Sequence, residues 1–128
     1  MAEALPIDES IVIVGVCGSG KSTLARGLRA LGYPARVCVQ EHSYVPFLWM
    51  RHGRPRVLVH LQASLVTVCR RREVAWSEEV LALQRERLAV ARAHSDLDID
   101  TDPLTADQVR ERVVQYLRER HLFVATGT

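Results

Sequence analysis

At 128 residues the chain has room for one domain with one core and none for a second. A formal charge of +2 makes no strong case for nucleic acid or a membrane surface, and no apolar run approaches the roughly 18 residues of a membrane span. Three cysteines, Cys17, Cys38 and Cys69, form no C-x-x-C pair and read as reduced thiols of a cytoplasmic protein.

The opening "MAEALPIDES" is short and acidic, unlike a signal or transit peptide, so residues 1–9 are expected to be a loose tail. A single domain is expected over 10–122, with a C-terminal tail at 123–128. "SIVIVGV" is a β-branched, wholly apolar run, the pattern of a strand buried on both faces. "GVCGSGKS" then leads into a helix with Leu24, Leu28 and Leu31 on one side, stopped by Gly32 and Pro34.

"ARVCVQ" is expected to be a second strand, and "PFLWMRHG" about two helical turns between Pro46 and Gly53. "RVLVHLQA" predicts a third strand, followed by a helix from Ser64 to about Arg72. Ser77 caps a long helix whose inner side carries Val80, Leu81, Gln84, Leu88 and Ala91. "DLDID" predicts a fourth strand, and "TADQ" a capping box that opens a last helix with Val109, Val113, Tyr116 and Leu117 inward. Strands alternating with helices give an α/β fold: three layers, with a parallel sheet of about four strands and the second strand beside the first.

Residues Gly15 to Ser22 fit G-x-x-x-x-G-K-[ST] in full, between a buried strand and an amphipathic helix. Glycines there let backbone N–H groups close around phosphate, and the helix start adds free N–H groups and its positive dipole end. Gly15, Cys17, Gly18, Ser19, Gly20, Lys21, Ser22 and Thr23 are thus expected to surround a nucleoside triphosphate, with Cys17 a passive filler. Lys21 reaches the β- and γ-phosphates, and the Ser22 hydroxyl ligates Mg²⁺. Sixteen arginines stand beside one lysine. That lysine falls where a compact ammonium is needed and a planar guanidinium does not fit.

With this loop in place, residues 11–118 resemble the P-loop kinase group, which includes shikimate, gluconate, adenylyl-sulfate and nucleoside monophosphate kinases. "RVLVHLQASLVTVCRRREVAW" is similar to the group's strand, helix and arginine-bearing lid. "QRERLAVARAHSDLDIDTDPLTADQVRERVVQYL" is similar to its final helix, strand, nucleotide-contacting turn and closing helix. The resemblance implies ATP as donor and Mg²⁺ as cofactor. It also implies that Arg70, Arg71 and Arg72 serve the lid, with Arg71 and Arg72 neutralising charge on the moving phosphoryl group. Arg87 would touch phosphate behind the lid, and Asp102 and Pro103 would border the adenine. The lid arginines equally suit a solvated helix end, and Arg85 and Arg87 a solvated helix face. Trp76 is placed to stack near the lid or pack in the core.

"DLDIDTD" also invites a calcium reading, but an EF-hand loop needs glycine where Thr101 stands. Asp98 and Asp100 instead alternate with Leu97 and Ile99, as on a strand with one wet face. The acid expected beside the nucleotide is Glu41, at the C-terminal end of "VCVQE". It serves the metal shell, the activation of an acceptor hydroxyl, or both. His42 is placed to position or deprotonate the acceptor. Tyr44, Phe47 and Trp49 supply an apolar wall that suits a small organic ligand or a homodimer contact.

The chain departs from the group in having only residues 33–55 between the first helix and the lid-bearing unit. A nucleotide-sized acceptor is hard to house there. The leading expectation is a Mg²⁺-dependent kinase that moves the γ-phosphoryl group of ATP to a small hydroxyl-bearing acceptor. The alternative is a nucleotide-binding switch or slow NTPase acting through a protein partner. Phosphorylation of a nucleic-acid end lacks the concentrated basic stripe it would need.

Overall fold

Short β-branched runs and amphipathic stretches alternate in this chain, and a computed structural model, which describes residues 7–73 and 75–123, places them in a four-stranded parallel sheet with four helices. The elements run β1 (Ile7–Gly15), α1 (Lys21–Ala30), β2 (Ala35–Val37), β3 (Arg54–Gln62), α2 (Leu65–Arg72), α3 (Glu78–Ala93), β4 (Leu97–Asp100) and α4 (Ala106–Glu119). Short 3₁₀ turns lie at Gln40–His42 and Leu48–Met50.

The sheet order is β2-β1-β3-β4, so the second strand does lie beside the first. Ile13 pairs with Val37 on one side and Val59 on the other, and Leu61 pairs with Ile99. Alternation along β1 divides the core. Ile11 and Ile13 pack with Leu24 and Leu28 of α1 and Val113 and Leu117 of α4. Val12 and Val14 pack with Val68 of α2 and Leu81 and Leu88 of α3. Helices therefore cover both faces, and Ile11 to Val14 lose all contact with solvent. Burying each such side chain contributes roughly 1.5–3 kcal/mol.

Local chemistry sets most helix ends. Gly32 and Tyr33 donate to the carbonyls of Arg29 and Leu28, closing α1 as the Gly32–Pro34 pair foretold. Ser64, Ser77 and Thr105 each accept a backbone N–H three residues on, and the Thr105–Gln108 capping box is complete in both directions.

Several expectations are corrected. β1 begins at Ile7, inside the stretch read as a tail. Residues 1–6 of that tail, and 124–128 of the C-terminal one, lie outside the described residues. Leu31 follows the last turn of α1 and Val80 sits on the outer side of α3, so both are exposed.

β2 stops at Val37, because Gln40 turns inward rather than extending the strand. Fully buried, Gln40 donates its side-chain N–H to the Val45 carbonyl and accepts the Trp49 N–H. The same brace prevents two regular turns over 46–53. The Trp49 indole takes the Pro46 carbonyl, and Met50 and Arg51 bond three residues back.

Candidate functional site

The loop between β1 and α1 follows from glycine's missing side chain. A Cβ on Gly15 would stand 2.5 Å from the Leu61 carbonyl oxygen, so that position admits nothing larger. Gly20 has φ of 101° and serves as the N-cap of α1, where no side chain can accept a helical N–H. The other three helices are capped by a hydroxyl, whereas α1 has no side-chain cap and its first residues, Lys21, Ser22 and Thr23, line a cavity. Its positive dipole end favours an anion there.

That cavity holds about 480 Å³. Cys17, Gly18, Gly20, Lys21, Ser22 and Thr23 form one wall, Arg71 and Arg72 a second, and Val37, Val39, Glu41 and His42 a third. Lys21 is buried and donates to the carbonyls of Gly15 and Val16 at 2.9 and 3.1 Å. Its Nζ also lies 2.7 Å from Glu41 Oε2. Glu41 is buried too, and its other oxygen, Oε1, has no hydrogen-bond partner among the described residues. Glu41 sits in the 3₁₀ turn after β2 rather than on the strand itself. His42 Nε2 comes within 3.9 Å of the same carboxylate from a half-exposed position.

A second, smaller cleft of about 170 Å³ shares Gly20, Thr23 and Arg71 with the first. Leu24, Leu104, Ala106 and Val109 give it an apolar lining, with Thr101 as a polar edge. Arg71 donates to the Gly18 carbonyl at 3.2 Å and to the hydroxyl and carbonyl of Thr101 at 3.0 and 3.1 Å. The Thr101 hydroxyl lies within 3.1 Å of the Ser19 carbonyl and 3.0 Å of the Gln62 carbonyl. Arg71 and Thr101 therefore tie the end of α2 and the edge of β4 to the glycine-rich loop.

Other expected site residues are elsewhere. Trp49 is buried in the core beneath α3, its ring centre 5.5 Å from that of His94 and tilted by 36°, because the Gln40 brace turns it inward. Tyr44 is 82% exposed, with the Arg87 guanidinium 4.4 Å from its ring centre. Arg87 also donates to the Glu41 carbonyl at 3.3 Å, so it braces segment 41–44 and does not line the cavity. Arg70 is exposed and lines neither cavity. Asp102 accepts the Ser64 N–H at 2.9 Å, and it is Thr101 and Leu104, not Asp102 and Pro103, that border the apolar cleft. Burial pushes the Asp102 carboxyl up, but hydrogen bonds from Ser64 and the nearby Arg71 leave it below its ordinary value. Trp76 is half-buried at the edge of the core. Val74, within the expected lid, lies outside the described residues.

The aspartates of "DLDIDTD" are engaged by the protein. Asp96 accepts the Leu58 N–H, Asp98 binds His60, Gln62 and Arg92, and Asp100 accepts the Asp102 N–H. No group of three or more His, Cys, Asp or Glu suited to a metal occurs among the described residues. No helix there is long and apolar enough to cross a membrane.

Gln84 was expected only as part of the inner side of α3. Buried there, it accepts the Cys17 N–H at 2.9 Å and so reaches the loop from 67 residues away. A polar residue on an otherwise apolar helix side was the available signal for it. Thr101 opens the turn that the resemblance placed beside the nucleotide, but nothing local marked its bonds to Arg71, Ser19 and Gln62. Comparison with known proteins found no family model and no curated protein that matches the chain.

Proposed function

We propose that this protein binds a nucleoside triphosphate with Mg²⁺ and transfers the γ-phosphoryl group to a small hydroxyl-bearing acceptor. One observation carries the reading. An uncapped helix start, the only lysine and a buried, half-unpartnered carboxylate meet at one cavity, with an apolar cleft beside it. In this reading the phosphates occupy the cavity and a planar base takes the cleft lined by Leu24 and Leu104.

The loop N–H groups and Lys21 hold the phosphates, while Arg72 and Arg71 stand on the side where charge develops during transfer. The Ser22 hydroxyl and Glu41 would hold Mg²⁺, which would neutralise phosphate charge when bound. Glu41 also accepts the acceptor's proton. Lys21 must exchange its Glu41 contact for phosphate when the nucleotide enters.

A second reading, a nucleotide-operated switch or slow NTPase, is favoured by the acceptor side. Trp49 is committed to the core, and Tyr44 lies beneath Arg87 at the surface. Titration with a fluorescent ATP analogue and assay of ADP release, with and without hydroxylated metabolites, separate the two readings. Acceptor-dependent release supports the kinase. Tight binding without any acceptor response sinks it in favour of the switch.

A further inference from the structure

The charges around the cavity are unevenly distributed. Its cations, Lys21, Arg71 and Arg72, all stand on the glycine-rich loop or at the end of α2. The opposite wall, from β2 and the turn after it, offers Val37, Val39, His42 and the Glu41 carboxylate. Val39, one of the residues lining this wall, is 54% exposed. Arg36, the basic residue of β2, is held by Asp8 and does not line the cavity. Glu41 Oε1 is buried and without a partner among the described residues, and Oε2, now held by Lys21, is the oxygen freed to accept a hydroxyl proton once Lys21 turns to phosphate.

We infer that the acceptor is an uncharged alcohol with an apolar body, an inference that rests on the kinase reading above. Lys21 is the cation now on Glu41, and it turns to the triphosphate when nucleotide enters. Arg87 bonds the Glu41 carbonyl without lining the cavity. A carboxylated or phosphorylated acceptor would then bring its negative charge against Glu41 with no guanidinium or ammonium left to receive it. The triphosphate already claims the cations opposite. An apolar body loses water against Val37 and Val39 at no such cost. In the transfer step, the alcohol oxygen attacks the γ-phosphorus and the bond from that phosphorus to the β,γ-bridging oxygen breaks. The hydroxyl proton passes to Glu41. The products are a neutral-bodied phosphate monoester and the nucleoside diphosphate.

The test pairs benzyl alcohol and cyclohexylmethanol with hydroxymethylbenzoate and hydroxymethylcyclohexanecarboxylate, which carry the same hydroxyl and an added charge. ADP release from Mg-ATP is measured for the wild type and for Val39→Arg, and binding of a fluorescent ATP analogue is followed in parallel. The uncharged alcohols should stimulate wild-type release roughly tenfold more than their carboxylated partners, the scale of one lost charge contact. Val39→Arg, assayed at a nucleotide concentration that saturates it in its own titration, should shift the preference toward the carboxylated set. Stronger stimulation of the wild type by the carboxylated set overturns the inference and leaves the kinase reading standing. Nucleotide binding with no response to either set, in both proteins, overturns the kinase reading and the inference with it. Failure to bind the nucleotide analogue overturns the nucleotide site itself.

Discussion

Lys21 Nζ stands 2.7 Å from Glu41 Oε2, and both side chains are buried. The loop after β1 and the turn after β2 are thereby joined through opposite charges out of water. Such a pair adds little net stability, because desolvation offsets much of the attraction, but removing one partner strands the other. Lys21→Met should therefore cost about 3–5 kcal/mol, whereas the double change with Glu41→Gln should recover most of that loss. Urea unfolding of the four proteins of the cycle measures it. A loss in the double variant equal to the sum of the two single losses would show that the pair is not coupled.

The second relationship concerns pH. On the α3 face of the sheet, buried His60 lies with Nδ1 2.8 Å from Asp98 Oδ1, and Arg92 donates to the other oxygen at 2.8 Å. Burial pushes the His60 imidazole below its ordinary value of 6.5, outweighing the pull of Asp98. Burial pushes Asp98 up, but hydrogen bonds from His60 and Arg92 take it below its ordinary 3.8. Both groups then bind fewer protons folded than unfolded, so both destabilise the fold on acidification. The His60 contribution is intact above about pH 6.5 and declines below it, and the Asp98 contribution declines only below about 3.8. Between pH 7 and 5, unfolding free energy should fall by up to about 1.4 kcal/mol per pH unit, and His60→Asn should flatten that slope. A variant with the same slope as the wild type would assign the effect to other groups.

Gln84 acts on the glycine-rich loop from a distance. Its Oε1 is the partner of the Cys17 N–H, and its own burial leaves no room for a compensating water without rearrangement. Gln84→Leu keeps the bulk and removes the acceptor, which should cost about 1–3 kcal/mol and loosen the loop. Hydrogen exchange at Cys17 should rise and nucleotide-analogue affinity fall, while Gln84→Glu, which keeps an oxygen at that position, should retain more of both. Unchanged exchange in Gln84→Leu would mean that the loop is held by Arg71 and Thr101 alone.

What the sequence made legible was what short-range chemistry decides. The spacing from Gly15 to Ser22, the capping box at Thr105–Gln108 and the apolar runs of β1 and β3 are each set by neighbours in the chain. The strand count and the adjacency of β1 and β2 followed from those runs and from the short 33–55 segment. Segment 40–53 was misread because a tertiary contact decides it. Gln40 reaches both Val45 and Trp49 through its side chain, and no periodicity records that. Arg71 was expected at the lid, but its bond to Thr101 was hidden similarly, since 30 residues separate the two groups.

Two of the three aromatic residues expected on an acceptor wall, Trp49 and Tyr44, part company in the fold. Trp49 is 4% exposed, packs with Leu88 and Ala91 in the α3-side core and donates its indole N–H to Pro46. Tyr44 is 82% exposed and its ring meets the Arg87 guanidinium at the surface. Trp49→Ala opens a cavity beneath α3 and should cost about 3–5 kcal/mol. Tyr44→Ala loses an exposed cation–π contact and should cost no more than about 1 kcal/mol. Paired urea titrations give both values. A Trp49→Ala loss as small as that of Tyr44→Ala would return Trp49 to the surface and restore the aromatic wall for an acceptor; the larger loss leaves Val37, Val39 and His42 to form it.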